Sequence, residues 1–283
     1  MGKDPEETFE SPYSQLYIYY IKGRLKPATP VSGSGFIGNW EESEYSFLFF
    51  SKPSADEVAG ILNSNPESTL LEEFHMTYDQ WQGSEIEPFN VGRFYIVPPW
   101  QRNRRKKIRG LEAITILLDP GVVFGNGLHT STRDCIKALE MVFSRDHIKF
   151  AVDYGTGTGI LALAASLFGC GRILAIDLNL LAANTALRNI RLNGLENKIL
   201  VAQGRAEDFI DAASDLVIAN IHYDVMKVMM GTRNFYNKKW FILSGLLRSQ
   251  ARAVKTDLSR NGITIINSWE CDGIWHTLLG KKD

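Results

Sequence analysis

Three glycines alternate with two threonines in Gly155-Thr156-Gly157-Thr158-Gly159, directly after an apolar run that begins at Ile148 and ends in Val152-Asp153-Tyr154. Helical apolar spacing follows from Ile160-Leu161, so the stretch reads as a strand, a tight turn and a helix. Glycine carries no Cβ, which lets the turn take unusual backbone angles and lets a ligand lie against bare main chain, facing the helix N-terminus. A dinucleotide fingerprint needs its third glycine at position 160, where Ile160 stands, so the spacing disfavours NAD. Asp153 ends the strand. A second acid, Asp177, ends the next apolar run, Ile173-Leu174-Ala175-Ile176, about where a carboxylate reaches two ribose hydroxyls. This points to a nucleoside without a pyrophosphate, and S-adenosylmethionine is the candidate: its amino-acid end by the glycine turn, its ribose on Asp177. A tight turn with no ligand is the competing reading, and Asp177 weighs against it.

The elements that must position these residues follow from composition and pattern. At 283 residues and 45 % hydrophobic content, the chain has material for one large domain or two of ordinary size. A net charge of -1 excludes whole-molecule attraction to nucleic acid or anionic lipid and leaves only local patches. Cys135, Cys170 and Cys271 are odd in number and far apart, which argues against a disulfide framework or a zinc site and for free thiols in a reducing cytosol. Met1 to Glu10 is polar and acidic, Glu6 stands where a myristoylation signal favours Ser or Thr, and no apolar run is long enough to span a bilayer. The expectation is a soluble cytoplasmic protein with no membrane partner.

Residues 1 to 12 read as a disordered lead-in, Gln15 to Ile21 and Tyr45 to Phe50 as strands, and Pro27 to Gly38 as a loop between them. Ser54 N-caps a short helix carrying Val58, Ile61 and Leu62, and Leu70 to Tyr78 returns as a strand. Residues 1–80 thus form a small α+β module. Residues 81–118 form a linker and hairpin holding strands Phe94 to Val97 and Ile114 to Leu118, and 119–283 form a larger domain that carries the glycine turn. From residue 130 helices and strands alternate, the sign of a doubly wound α/β sheet. Helices fall at 131–144, 158–168, 180–192, 223–235 and 247–260. Strands fall at 148–153, 172–177, 199–203, 215–220 and 239–244, and 263–269 and 275–279 close the sheet as an antiparallel hairpin across Asp272-Gly273.

Three segments together resemble one family. Asp119-Pro120-Gly121-Val122-Val123-Phe124-Gly125-Asn126-Gly127-Leu128-His129-Thr130-Ser131-Thr132 resembles the DPGxAFGTGTHxTT signature of the ribosomal protein L-eleven lysine methyltransferases. Asp153 to Leu161 is similar to that family's glycine motif and Val217-Ile218-Ala219-Asn220-Ile221 to its VxANI motif, with further matches at Pro88 to Trp100 and Leu243 to Gln250. The resemblance covers about residues 78 to 283 and implies a seven-stranded, Rossmann-like class I methyltransferase sheet with S-adenosylmethionine at the carboxyl ends of the strands, as the switch-point rule also requires. It implies Asp153, Gly155, Thr156 and Gly157 on the methionine side, Asp177 and Leu178 by the ribose, and Phe124, Gly125 and His129 in the loop over the cofactor. Asn220 is implied as the catalytic residue beside the transferred methyl, its carbonyl accepting a hydrogen bond from the incoming amine; no metal is required. The implied partner is a protein substrate, a ribosomal protein.

Asn126 and Leu128 replace the two threonines of the signature's FGTGTH segment; Asn126 can still hydrogen-bond, whereas the Leu128 side chain cannot. The family's βαββαβ docking module also lacks its first helix here, so the recognition surface and acceptor can differ. Asn220-Ile221-His222-Tyr223 is similar to the NPPY motif of amide and adenine methylating enzymes, but Ile221 stands in place of proline and favours the lysine-type reading. His222 reads as a loop histidine ahead of a proton acceptor, and His129 equally as cofactor contact or loop former. The basic run Arg102, Arg104, Arg105, Lys106, Lys107 and Arg109 allows RNA contact but lacks interleaved aromatics, so a solvated hairpin tip is preferred. Trp81 and Trp100 read as substrate path or packing alike. The function classes left open are a protein N-methyltransferase, a methyltransferase for another protein or small-molecule amine, and a cofactor-binding scaffold without turnover.

Overall fold

The computed structural model describes residues 13–25, 35–102, 107–108 and 111–283; the expected lead-in and most of the expected 27–38 loop lie outside these residues. Contacts divide the chain into one unit running to Glu87, together with Asn179–Leu181, and a second of Pro88–Leu178 and Ala182–Asp283.

The first unit contains β1 (Gln15–Lys22), β2 (Phe36–Glu42), β3 (Tyr45–Phe50), α1 (Ala55–Asn63), β4 (Thr69–Thr77) and α2 (Tyr78–Gln82). Its strands pair antiparallel between β1 and both β3 and β4, in the order β2-β3-β1-β4. Tyr19, Ile21, Leu48 and Phe50 form a core with Val58 and Ile61 of α1. Strand β2 takes up the end of the expected loop. Gly38 and the two glutamates conceal it in sequence, and its cross-strand pairs with β3, Trp40 opposite Phe47 among them, create it. Ser54 occupies the N-cap of α1 without a side-chain capping bond; its hydroxyl donates to the Lys52 carbonyl at 3.2 Å instead.

The second unit opens with β5 (Phe89–Val91), β6 (Phe94–Val97), the two-residue strands β7 (Lys107–Ile108) and β8 (Leu111–Glu112), and β9 (Ile114–Leu117). The expected hairpin between Phe94–Val97 and Ile114–Leu118 is not formed: β6 and β9 run parallel. A parallel pair needs a crossover, and the antiparallel partner of β6 is β5. Phe94, Ile96 and Ile116 belong to the same core cluster as Ile136 and Leu139 further along the chain, so this segment packs as part of the second unit. Of the basic run, Arg104, Arg105, Lys106 and Arg109 lie outside the described residues, and Arg102 is exposed.

The alternating region yields α3 (Thr130–Phe143), β10 (Phe150–Tyr154), α4 (Ile160–Leu167), β11 (Arg172–Asp177), α5 (Leu180–Leu192), β12 (Ile199–Gln203), β13 (Leu216–Asn220), α6 (Tyr223–Met230), β14 (Trp240–Leu247), α7 (Arg248–Arg260), β15 (Ile263–Cys271) and β16 (Trp275–Lys282). The expected helix over 223–235 stops at Met230, with Gly231 at its C-cap and a separate 3-10 turn over Arg233–Asn237. The seven strands lie in the order β12-β11-β10-β13-β14-β16-β15, the expected doubly wound sheet, in which β16 alone runs antiparallel to its neighbours β14 and β15. At that hairpin Asp272 and Gly273 have φ of 53° and 67°, and the Ile274 amide donates to the Cys271 carbonyl at 3.0 Å, the paired positive-φ turn that matches strand twist. Apolar residues alternate between the sheet's faces: Ala151, Ile173, Leu216 and Ile218 pack with α3 and α4, and Val152, Ile176, Val217 and Ala219 with α6 and α7. No helix among the described residues is long and apolar enough to cross a membrane.

One polar side chain crosses this apolar layer. Asn189 of α5 is fully buried, and its Oδ1 accepts the Asp119 amide at 2.9 Å while its Nδ2 donates to the carbonyls of Asp119 and Thr158, each at 2.9 Å. Asn193, one helical turn later, accepts the Leu117 amide at 3.0 Å and donates to its carbonyl at 2.7 Å. The pair zips the segment after β9 onto α5. Asn189→Ala leaves three buried main-chain groups unsatisfied and is expected to destabilise the second unit by about 3 kcal/mol, more than Asn193→Ala at its half-buried position; urea unfolding midpoints at constant m-value check the ranking.

Candidate functional site

Strand parity places the chemistry. Side chains alternate along a strand, so with Ala151, Ala175 and Ile218 facing α3 and α4, Asp153, Asp177 and Asn220 take that same side. Register places it further. Asp153 lies level with Ala175 on β11 and with Ile218 on β13, so Asp177 and Asn220 each stand one pleat, about 7 Å, beyond it on the two flanking strands. Strand order reverses between β10 and β13, and the three polar side chains cluster at the carboxyl ends beside this switch point.

The glycine turn lies between them. Gly155, Gly157 and Gly159 have φ of 68°, 56° and 84°, and a Cβ at Gly155 would fall 2.3 Å from Ile221 Cγ2, while one at Gly157 would fall 2.6 Å from the Phe124 carbonyl oxygen. Glycine is required here by both conformation and space. Asp177 Oδ2 accepts the Gly157 amide at 2.9 Å, which ties the carboxylate to the turn. The Thr156 amide donates to the Ile176 carbonyl at 2.9 Å, and its hydroxyl donates to Asp153 Oδ2 at 2.7 Å. Asp153 and Thr156 are thus buried supports beneath the turn, not surface groups. Burial above all, and then the neighbouring Asp177 charge, push the Asp153 carboxyl up to about 7. Its Oδ1 is buried with no hydrogen-bond partner among the described residues.

The loop from Asp119 to His129 lies over the turn. Thr158 Oγ1 donates to the Gly125 carbonyl at 2.6 Å, and Asp119 pairs with Arg188 at 3.3 Å. Asn126 folds back on its own loop, its Oδ1 accepting the Leu128 amide at 3.0 Å. Phe124 and Leu178 are exposed apolar side chains beside the loop and Asp177, 57 % and 65 % accessible. The His129 ring lies 5.7 Å from the rings of both Phe124 and Trp275, at the N-cap of α3. Its Nδ1 is 2.7 Å from Ser131 Oγ, which in turn receives Asn220 Nδ2 at 3.2 Å. Gly245 gives room on the other side of the amide: a Cβ there would stand 3.3 Å from Asn220 Oδ1.

The structure therefore brings Phe124, Gly125, His129, Gly155, Gly157, Asp177, Leu178 and Asn220 to one end of the sheet, with Asp153 and Thr156 inside it. His222 is exposed and N-caps α6, its Nδ1 accepting the Asp224 amide at 3.5 Å. Trp81 packs edge-on to Phe49 in the first unit, 5.1 Å between rings, while Trp100 belongs to the second unit. Asn189, Ser131 and Trp275 were missed by the sequence reading. Asn189 and Asn193 leave a signal, two amides four residues apart on an otherwise apolar helix face; Ser131 stands at a threonine position of the signature, but its partner Asn220, 89 residues on, is not readable from it, and Trp275 leaves no signal.

The donor set suits S-adenosylmethionine. Two neighbouring carboxylates, Asp153 and Asp177, favour a positive group nearby; Asp177 can accept from a ribose diol, and Phe124 and Leu178 offer apolar surface to a purine. Among the described residues no group of three or more His, Cys, Asp and Glu side chains is arranged to hold a metal.

Comparison with known proteins points to one family. The family model described as Ribosomal protein L11 methyltransferase (PrmA) matches residues 61–283. The ribosomal protein L11 methyltransferase of Alkaliphilus oremlandii (strain OhILAs) is 32 % identical over 198 residues, covering 69 % of this chain and 61 % of that protein. The protein of the same name from Anoxybacillus flavithermus (strain DSM 21510 / WK1) is 33 % identical over 192 residues, covering 67 % and 60 %. The chain thus spans about three fifths of the length of these curated relatives. The crystal structure of ribosomal protein L11 methylase from Lactobacillus delbrueckii subsp. bulgaricus superposes with a TM-score of 0.60 at 26 % identity, over 70 % of this chain and 99 % of that one.

The raised Asp153 carboxyl makes stability depend on pH. Its folded pKa of about 7 exceeds the unfolded 3.8, so its contribution is full below about pH 4 and is lost as pH rises through 7. Asp153→Asn keeps an acceptor for Thr156 and removes the buried charge. Its ligand-free thermal midpoint is expected to match the parent near pH 4 and to exceed it at pH 8, by at most about 4 kcal/mol of stability; an offset constant with pH would contradict the assignment.

Proposed function

The chain belongs to the ribosomal protein L11 methyltransferase (PrmA) family, and from that membership we propose that it transfers a methyl group from S-adenosylmethionine to an amino group of a protein, with ribosomal protein L11 as the acceptor. The observation that carries this reading is the convergence of Asp177, the glycine turn and Asn220 at the switch point, with the Asn220 carbonyl directed away from its Ser131 anchor. A cofactor-binding scaffold needs the two acids but has no use for an amide held in that orientation.

Within this reading S-adenosylmethionine, when bound, supplies a methyl group activated by its sulfonium for in-line displacement. Asp177 would hold the ribose, the turn would carry the amino-acid end, and Phe124 and Leu178 would shield the base. Asn220 Oδ1 accepts one N–H of the neutral acceptor amine and so directs its lone pair. Positioning of this kind supplies much of the rate when the reacting atoms are held close and in line. The loop from Asp119 to His129, pinned through Asn189 and Thr158, excludes water on one side.

Radiolabelled S-adenosylmethionine is expected to label one ribosomal protein in a preparation from cells lacking this gene. Asn220→Ala is expected to lower kcat about 100-fold with cofactor affinity little changed, and Asp177→Asn to weaken cofactor binding about tenfold or more by calorimetry. Cofactor binding without label in any ribosomal protein would overturn the acceptor assignment.

A further inference from the structure

We propose that Ser131 is a positioning residue that decides which end of the Asn220 carboxamide faces the methyl acceptor. Its consequence for rate rests on the function proposed above; its geometry does not. The Ser131 amide lies in the first turn of α3, where no intrahelical carbonyl is available to it, and it donates to His129 Nδ1 at 3.3 Å. A backbone N–H can only donate. His129 Nδ1 must therefore present its lone pair, and the ring proton resides on Nε2.

The rest of the chain of bonds follows. Ser131 Oγ lies 2.7 Å from the same Nδ1, and with that tautomer its single hydrogen points there, sharing the one ring lone pair with the more distant amide. Only lone pairs remain on the hydroxyl, and the group of Asn220 that meets it at 3.2 Å has to be a donor, Nδ2. Turning the carboxamide over would set Oδ1 against those lone pairs. Ser131 is 3 % accessible, so the hydroxyl finds its partners within the protein. Asn220 Oδ1 is thereby committed to the opposite side, where Gly245 keeps space beside it. An amine arriving there finds an acceptor for its N–H. With the amide reversed it would meet a second donor, which would engage the lone pair that has to attack.

Nitrogen-15 NMR of the ligand-free protein, with Asn220→Asp identifying the side-chain amide pair, reads this without activity. The expected results are the Nε2–H tautomer for His129 at pH 8, and one Asn220 amide proton shifted and slow to exchange, both features of that proton disappearing in Ser131→Ala and surviving in Ser131→Thr. In methyl-transfer assays Ser131→Ala is expected to lower kcat about tenfold, with the cofactor Kd and the protein KM within about twofold, and Ser131→Thr to recover most of the loss. An Nδ1–H tautomer, an Asn220 signal unchanged in Ser131→Ala, or equal losses in the alanine and threonine variants would overturn the proposal. A parent protein that methylates no ribosomal protein yet shows the Ser131-dependent Asn220 signal would overturn the functional reading while supporting the hydrogen-bond chain.

Discussion

The carboxamide of Asn189 is the constraint on which the site depends. Three main-chain groups from two separate segments, the amide and carbonyl of Asp119 and the carbonyl of Thr158, find their partners on this one buried side chain. Inside an apolar layer each would otherwise go unsatisfied. With them paired, the loop after β9 is fixed relative to the glycine turn, and Thr158 can reach forward to Gly125. Only then does α3 begin where His129 and Ser131 meet Asn220.

A second constraint is geometric. A parallel sheet with both faces covered must be apolar along nearly its whole length, so a polar residue sits most cheaply at a strand end, and those inside, such as Ser244 and Thr277, pair with each other. Parity sends Asp153, Asp177 and Asn220 to the same face, and register staggers them by one pleat across three adjacent strands. The deepest of the three is the costly one. Asp153 gives up hydration for a single hydroxyl and the ends of a turn, and its raised proton affinity records that cost.

The two acids and the amide also divide the labour by their surroundings. Asp177 is held by a backbone amide at the rim, Asp153 is sealed below, and Asn220 is oriented by a hydroxyl on a different element. Each orienting partner is a neighbour in space brought there by a helix cap or a turn. The first unit is defined by its own small aromatic core and antiparallel pairing.

Much of this was legible before any coordinates. The doubly wound sheet, its terminal hairpin across Asp272-Gly273, the glycine turn and the paired acids all follow from periodicity, from turn chemistry and from the absence of a Cβ, which are properties of short windows of chain. Strand β2, the parallel pairing of β6 with β9 and the break after Met230 were not legible, because pairing partners and the choice between hairpin and crossover depend on residues far along the chain. The types of the site residues were readable in the same local way, and a family resemblance named Asn220. What only tertiary structure decided is burial and orientation: that Asp153 and Thr156 lie beneath the surface, that Asn126 caps its own loop, and that Ser131 aims the Asn220 amide. Desolvation and hydrogen-bond direction are set by which atoms come within about 3 Å of one another, and that is settled when the layers pack.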